Sequence, residues 1–499
     1  MNNNSDFTEF SKQSPKGILV IYISLLYKTL KVSWILLFLF LRKFSELSNQ
    51  KLFYIFMAIG VFLLFLLVRA YLDYKNFQFK IENNHFVLKQ GILKKTNTSI
   101  SFDRIQNINF KQNIIQQLIN VYEVSVETAG SKDTEIAIKA LPFDKAQALK
   151  EQMSVKAMTA ESSIIEEEKN PFLIINFKEL LKVSLTENHL QSLLIFIALL
   201  FGIYQQLSDA FDGLGRKEDF DSYLDIESNA MYGSIIVFLI LFVLLFIVAL
   251  VSSFVRILLF HFNLTVFIKN ESFEINQGLL TKKSIILKKE KVQSITVSTN
   301  PIKKKLGISF VTFKQAVSGK VNEKKNKLIR LVGCQYHQVL QIKELLFDFQ
   351  SVENSEKYNS NTYFKSRMYF RSFLGLLIFN SILMVVLQNA NWLWFNLILF
   401  PLVILLIRLK FKKTFYSFDD EVLLIGKGRI ETHIIYLPFF KVQNIKMKQT
   451  LFQQRKDVVD IILQTASGKI KIPCIEKERA TQIYNYTVYK VEKSTELWM

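Results

Sequence analysis

One sequence pattern occurs three times in this chain, with the same internal spacing each time. Each copy has a glycine, a glutamine 15 residues later and an alanine 23 residues after that glutamine. The glycines are Gly91, Gly278 and Gly428, the glutamines are Gln106, Gln293 and Gln443, and the alanines are Ala129, Ala316 and Ala466. Because two spacings recur in three copies, we interpret the chain as a triplicated structural unit.

Long apolar segments precede each copy of this pattern, and half of the 499 residues are hydrophobic. A bilayer core about 30 Å thick requires about 20 apolar residues in a helix. Residues 52–71, 189–207, 232–257 and 391–409 meet this requirement, 372–388 is slightly short and 31–44 is marginal. The segments predict three membrane hairpins, each followed by a soluble domain.

The charges around these segments predict which side of the membrane the domains occupy. The connector 205–231 holds seven acidic and two basic residues, whereas the domain-side ends carry residues such as Arg256, Lys365 and Arg408. Basic flanks mark the cytoplasmic side of a membrane. We therefore predict an inner-membrane protein with cytoplasmic domains, although Arg42 and Lys43 lie on the opposite side.

The hairpins and repeats predict the domain bounds. In order they are a polar N-terminus 1–16, hairpin 17–72, domain 73–155, acidic linker 156–170, hairpin 171–258 with external loop 205–231, domain 259–350, linker 351–362, hairpin 363–409 and domain 410–499. Residues 18–31 and 172–185 place apolar side chains at helical spacing with lysines opposite. They are interfacial helices or extensions of the spans.

The soluble stretches show the pattern of short strands followed by one helix. Residues 77–81, 85–89 and 122–126 alternate apolar and polar side chains, as strands do. Each stretch closes with a helix-like segment: 143–153, 336–349 or 476–489. This order favours a small barrel or bent sandwich whose open end is covered by the helix.

These residues resemble a known family. The repeated glycine, the Ile-Gln-Asn-Ile sequence at 105–108 and the Glu-Thr-Ala-Gly turn at 127–130 are similar to the membrane-associated bacterial pleckstrin-homology (PH) domain. The alternation with span pairs resembles the YdbT-like members. The resemblance implies a multi-pass α-helical membrane protein with three α+β domains, each a seven-stranded bent barrel with a C-terminal helix. It also implies a role in envelope integrity or stress tolerance.

Two copies depart from the shared pattern. The middle copy has a longer loop at 317–327, and the third has Leu437-Pro-Phe-Phe440 before its glutamine. The three domains therefore need not share one role. We expect the repeated glycines to occupy a turn or a bulge where a side chain would clash. We expect the repeated glutamines to bond backbone within the domain or, as the alternative, to bind a ligand.

The sequence predicts no catalytic site, cofactor or metal centre. Its five histidines are scattered, and Cys334 and Cys474 lie far apart without a CxxC partner. No nucleophile elbow or paired-carboxylate arrangement stands out. We therefore predict a protein that is not an enzyme.

The remaining functional signal is basic charge. The net charge is +20, and residues 262–350 hold 16 lysines and arginines against 6 acidic residues. A basic residue near an anionic leaflet contributes about 1 kcal/mol. The predicted contact residues are Lys282, Lys283, Lys303, Lys304, Lys305, Lys324, Lys325 and Lys327. The alternative is an ordinary solvated lysine-rich surface.

The sequence thus favours a non-catalytic scaffold or sensor at the inner leaflet. Its expected partner is a bilayer with anionic headgroups, with a membrane-protein partner or a second copy of the chain as further candidates. The spans make nucleic acid the weaker reading of the basic charge. The alternative function is a transporter or channel, which the scarcity of ionisable residues within the spans disfavours. The packing of the spans distinguishes the two functions. A scaffold is expected to keep three separate hairpins, whereas a transporter or channel is expected to pack its spans into a single bundle with a polar interior.

Overall fold

The computed structural model describes residues 7–42, 48–128, 136–155, 170–187, 189–213, 231–269, 272–316, 328–347, 356–388 and 391–494. Its helices are α1 (Gly17–Arg42), α2 (Asn49–Lys75), α3 (Ile114–Leu118), α4 (Phe143–Val155), α5 (Phe177–Leu185), α6 (His189–Gly213), α7 (Met231–His261), α8 (Pro301–Lys305), α9 (Tyr336–Phe347), α10 (Thr362–Leu387), α11 (Asn396–Lys412), α12 (Leu451–Gln454) and α13 (Lys477–Lys493).

The strands follow the same order of repeats. They are β1 (Ser11–Lys12), β2 (Gln78–Glu82), β3 (His85–Gln90), β4 (Thr96–Ser101), β5 (Ile105–Gln112), β6 (Val121–Thr128), β7 (Ile136–Pro142), β8 (Leu173–Ile175), β9 (Leu264–Lys269), β10 (Ser272–Gln277), β11 (Lys282–Lys288), β12 (Val292–Thr299), β13 (Ile308–Gln315), β14 (Ile329–Gln335), β15 (Tyr358–Asn359), β16 (Phe415–Phe418), β17 (Val422–Gly428), β18 (Thr432–Pro438), β19 (Val442–Lys448), β20 (Val458–Thr465) and β21 (Gly468–Glu476). Neighbouring strands are antiparallel, and each set of seven forms one domain.

The long helices form three hairpins. Four described segments are long and apolar enough to cross a bilayer: Asn49–Lys75, Val243–His261, Thr362–Val385 and Leu393–Lys412. Helix α1 packs along α2, α6 along α7 and α10 along α11. Within the described ranges each long helix packs chiefly on its own hairpin partner, so the hairpins remain three separate pairs.

The two candidate interfacial segments differ in structure. Residues 18–31 belong to the continuous helix α1, so they extend the first long helix. Residues 177–185 instead form the separate helix α5, which begins with a capping box between Asn176 and Glu179. Leu180 and Val183 of α5 are buried in the core of the second domain. The sequence Leu-Lys-Val-Ser, which occurs at 30–33 and again at 181–184, therefore lies in two different structural settings.

Each domain has the expected bent barrel and closing helix. Four strands form one part of the barrel and three form the other, and the C-terminal helix packs on the core. The contacts of these helices come from Ala146 and Leu149 in α4, Val339 and Ile342 in α9, and Ala480 and Ile483 in α13. The predicted fold class is confirmed.

The predicted domain bounds need one correction, because the first strand of each domain precedes its hairpin. β1 pairs with β2, β8 with β9 and β15 with β16. Phe7 is also buried in the first domain, against Phe79. Residues 7–14 are thus part of a domain rather than a polar tail, and each hairpin is inserted between the first and second strands. Strands of two or three residues are too short to show a period in the sequence.

The repeated glycine and glutamine mark two backbone irregularities. Gly91, Gly278 and Gly428 have φ of +114°, +106° and +135°. A Cβ at these positions would lie 2.0, 2.1 and 1.9 Å from a carbonyl oxygen three residues later, so the turn requires glycine. The register of β5, β12 and β19 against the following strand shifts across Gln106, Gln293 and Gln443. The glutamine therefore lies at a β-bulge in every copy.

The three domains share their sheets. β5 of the first domain pairs with β11 of the second, and β12 of the second pairs with β18 of the third. This pairing creates two seven-stranded sheets that each cross a domain boundary. The cores are shared as well, because Ile286 packs in the core of the first domain and Leu424 and Tyr436 pack in the core of the second.

A buried ion pair joins the second and third domains. Lys303 in α8 is 1% exposed, and its Nζ donates a hydrogen bond to Glu431 of the third domain. The same Nζ lies 3.6 Å from the centre of the Phe310 ring. Burial alone would raise the pKa of Glu431, but Lys303 with His433 and Arg330 holds it below its ordinary value. Glu431 therefore supplies the charge that the buried ammonium requires.

Replacing Glu431 with Gln is expected to destabilise the chain, because the buried Lys303 ammonium loses its counter-charge. Removing one partner of a buried pair costs roughly 3–5 kcal/mol, and the partial exposure of Glu431 places this change near the lower end. The measurement is the thermal unfolding midpoint in detergent. Adding Lys303→Met to Glu431→Gln should recover part of the loss, and an unchanged midpoint in Glu431→Gln would contradict this interface.

The same pair predicts a pH dependence. The pKa of Glu431 is lowered in the folded chain, so its stabilisation is present at neutral pH, above the ordinary carboxyl pKa. It is lost as the pH falls through the lowered pKa. The difference in midpoint between the native chain and Glu431→Gln should therefore shrink in acid, and a constant difference from neutral pH into acid would argue against an ionised Glu431.

Candidate membrane-facing surface

The glycine turns lie where the second helix of a hairpin enters its domain. The backbone N–H of Gly278 donates to the carbonyl of Phe262 at 2.9 Å, and that of Leu279 donates to Leu259 in α7 at 3.0 Å. In the third domain the ammonium of Lys413, just after α11, donates to the carbonyl of Ile430. These bonds hold the glycine turn at the base of the hairpin.

The short helices α3, α8 and α12 lie beside the start of the preceding hairpin. Lys16 donates from Nζ to the carbonyl of Ile119, after α3, at 3.1 Å. Asn300 caps α8 and donates from Nδ2 to the carbonyl of Thr186, after α5, at 2.9 Å. In the third domain Val458, four residues after α12, packs with Phe364 near the start of α10. The glycine turns and short helices thus share the membrane side of the domains.

Exposed apolar side chains recur at both places. The second residue after the repeated glycine is Leu93, Leu280 or Ile430, and Leu93 is fully exposed at 101%. The short helices add Ile114, Leu118, Ile302, Leu451 and Phe452, all exposed. We call these eight residues the membrane-facing surface. Exposed apolar groups beside a hairpin base suit the boundary between headgroups and acyl chains.

The predicted lysines lie partly on this surface. Lys282, next to the second glycine turn, and Lys304 and Lys305 in α8 are exposed. Lys283 is half-buried, with its ammonium 5.7 Å from the centre of the Phe260 ring at the end of α7. The basic residues therefore flank Leu280 and Ile302, as in an amphipathic interfacial segment.

One predicted lysine does not belong to this surface. Lys303 is the buried partner of Glu431, so it cannot face the leaflet. A run of three lysines in a short helix points its members in different directions, and the first one points into the domain interface. Lys324, Lys325 and Lys327 lie outside the described residues.

Sequence reasoning missed the apolar part of the surface. A leucine or isoleucine two residues after the repeated glycine is visible in all three copies, and this signal could have been found. The exposed Lys94, Lys95 and Arg429 near the first and third glycine turns were also missed. All three domains therefore carry basic residues at this place, including the two outside the lysine-rich middle domain.

A buried carboxylate fixes the third domain against its hairpin. Asp460 accepts from Arg367 of α10 at 3.3 Å, from Lys471 at 2.7 Å and from the backbone N–H of Cys474 at 2.8 Å. Burial raises the pKa of Asp460, but Lys471, the Cys474 N–H and Arg367 together hold it below its ordinary value. This network joins β20 and β21 of the third domain to the first turns of α10.

Three further titratable groups singled out by the sequence lie in the core or between domains. Cys334 and Cys474 are buried free thiols, and burial raises their pKa to about 12 and about 11. His433 lies at the domain interface, with Nδ1 2.7 Å from the hydroxyl of Ser298. Among the residues that the structure describes, no three His, Cys, Asp or Glu side chains are grouped to hold a metal ion.

The family model of the bacterial PH domain matches residues 31–157, 223–342 and 373–490. These three matches span most of the chain. The chain belongs to the bacterial PH domain family. It is also similar to the UPF0699 transmembrane protein YdbT of Bacillus subtilis (strain 168), with 23% identity over 419 residues that cover 81% of this chain and 82% of that protein. The chain is thus a membrane protein with three bacterial PH domains, and the resemblance read from its repeats is confirmed.

Replacing Asp460 with Asn is expected to destabilise the third PH domain, because Arg367 and Lys471 lose their shared buried carboxylate. The loss should be roughly 3 kcal/mol, as for other broken buried pairs. The thermal unfolding midpoint in detergent measures it. The matched control is Asp457→Asn, because Asp457 is exposed with φ of +48°, a conformation that Asn adopts readily. Equal midpoints for the two variants would contradict the proposed anchor.

Proposed function

We propose that this chain is a non-catalytic scaffold or sensor whose three bacterial PH domains lie together on the cytoplasmic leaflet and bind anionic headgroups there. The observation that carries the proposal is the recurrence of the membrane-facing surface at the base of each hairpin. Because the surface is present in all three copies, we infer that all three domains contact the membrane in the same way.

The chemistry of the surface supports lipid as its ligand. Leu280 and Ile302 offer apolar groups to the acyl boundary, while Lys282, Lys304 and Lys305 beside them offer ammonium groups to phosphates. Each such charge contributes about 1 kcal/mol near an anionic leaflet. Because the hairpins tether every domain to the bilayer, even weak contacts act at high effective concentration.

The packing of the spans favours a scaffold over a transporter. In the described ranges the two helices of each hairpin pack chiefly on each other. A transporter would need helices of different hairpins to pack together and line a polar path between them. The shared sheets instead connect the domains. A continuous β structure with repeated lipid contacts is suited to sensing or organising an area of membrane.

The lipid contact predicts the depth of individual side chains. A spin label on Ile302→Cys should be accessible to oxygen dissolved in the bilayer and shielded from a water-soluble relaxation agent, in nanodiscs of anionic lipid. The control label on Lys469→Cys lies beyond β20, which is eight residues or roughly 23 Å long, at its end away from the hairpin. Lys282→Gln with Lys304→Gln and Lys305→Gln should reduce the depth at Ile302. Equal water accessibility at both sites would contradict the proposal.

The sidedness is tested separately with a membrane-impermeant maleimide on intact cells. Ser222→Cys in the acidic connector should be labelled and Lys469→Cys should not, because the domains are proposed to be cytoplasmic. The native chain is the background control, since Cys334 and Cys474 are buried. Labelling of Lys469→Cys alone would invert the topology.

A further inference from the structure

The array of PH domains has two unlike ends. Within the chain, the fourth strand of one domain always pairs with the fifth strand of the domain before it: β11 with β5 and β18 with β12. Among the strands that the structure describes, the fourth strand of the first domain, β4, lies at the end of its sheet, and so does the fifth strand of the third domain, β19. The first domain therefore carries one half of this contact in β4, and the third domain carries the other half in β19.

The two internal contacts use the same register. In both, the residue seven positions after the repeated glycine faces the residue three positions after the repeated glutamine. Ile285 faces Asn109 in the first contact, and Ile435 faces Thr296 in the second. The same rule applied to the two ends places Thr98 of β4 opposite Lys446 of β19.

Side chains of β19 are more exposed than those at the same repeat positions of β5 and β12, which are paired with the next domain. Val297 of β12 is 8% exposed, whereas Met447 at the same repeat position is 42% exposed. Gln293 is fully buried, but Gln443 is exposed. Ile108 and Ile295 lie opposite residues of the next domain's strand and are buried. The equivalent Ile445 is only half-buried. β19 thus presents surface that its two counterparts cover.

A side-chain hydrogen bond supports the first internal contact, and the residue types that form it recur beside β4 and β19. Gln117 after β5 donates from Nε2 to the carbonyls of Leu279 and Leu280 at 3.4 and 3.0 Å. The residues at the equivalent end positions are Gln454 and Leu93, so the glutamine and the leucine are both retained.

We propose that β4 of one copy of this chain pairs with β19 of a second copy, in the register that sets Thr98 opposite Lys446. A second copy is the occupant because each chain carries both halves of a contact that it already makes twice internally. The contact is head-to-tail, so repetition yields a closed ring or an open row of chains. Since the internal contacts keep every hairpin on one side, a third contact of the same geometry leaves both copies in one membrane.

The charges on the two strands permit this pairing. Residues 96–100 of β4 are uncharged, so they do not repel Lys446 and Lys448 of β19. Lysine on such strands does not prevent pairing in this fold, because Lys283 directly faces Lys111 across the first internal contact. Edge lysines instead discourage pairing between two β19 strands.

Cysteine cross-linking in native membranes tests the register. Thr98→Cys and Lys446→Cys in one chain should give disulfide-linked dimers and higher multimers on non-reducing gels after mild oxidation, since facing residues in an antiparallel pair bring Cα atoms to about 4.5–5.5 Å. The matched control combines Thr98→Cys with Met447→Cys, which lies on the opposite face of the strand and should not cross-link. Ile285→Cys with Asn109→Cys is the positive control for oxidation and should close within one chain.

Co-expression separates the arrangements. A tagged chain with Thr98→Cys alone and an untagged chain with Lys446→Cys alone should form a mixed dimer, while neither variant alone should form one. In the chain that carries both Thr98→Cys and Lys446→Cys, a disulfide that changes only the mobility of the monomer would show that the two strands meet within one chain. That result would overturn the proposal. Absence of any cross-link while the positive control oxidises would overturn it as well, and would indicate a different occupant of the edges.

Discussion

Strand pairing between domains is the interaction on which the arrangement depends. An unpaired edge strand exposes a row of backbone N–H and carbonyl groups, and folded proteins cover or interrupt such edges. Here β5 and β12 are covered by β11 and β18 of the following domain, and Ile286, Leu424 and Tyr436 extend the cores across the boundary. Each domain therefore completes its neighbour, and the three act as one β structure.

The insertion of the hairpins orients this structure against the membrane. Because each hairpin lies between the first and second strands of its domain, both of its ends are attached to the same barrel. The glycine turn contacts one end of the hairpin and the short helix lies beside the other. The exposed leucines and isoleucines next to them consequently lie on the hairpin side of all three domains, which is the physical basis of the proposed lipid contact.

The sequence predicted those features that are encoded locally. The spacing of Gly278 and Gln293 reflects a turn and a bulge, and the apolar segments reflect hairpins, so both could be found without a structure. The pairing of β12 with β18 depends on residues more than 130 positions apart, and nothing in either strand specifies its partner. Lys303 was assigned to the surface for the same reason: a buried lysine and an exposed one look alike until the position of Glu431 is known.

Amide hydrogen exchange of the full chain in nanodiscs tests the shared sheets most directly. The strands β11 and β18 should be as strongly protected as their inner neighbours β10 and β17, because each is hydrogen-bonded on both sides. If the domains were instead independent, β11 and β18 would be edge strands. The amides that point toward β5 and β12 would then exchange as fast as those of exposed turns while β10 and β17 stayed protected, and that result would contradict the account.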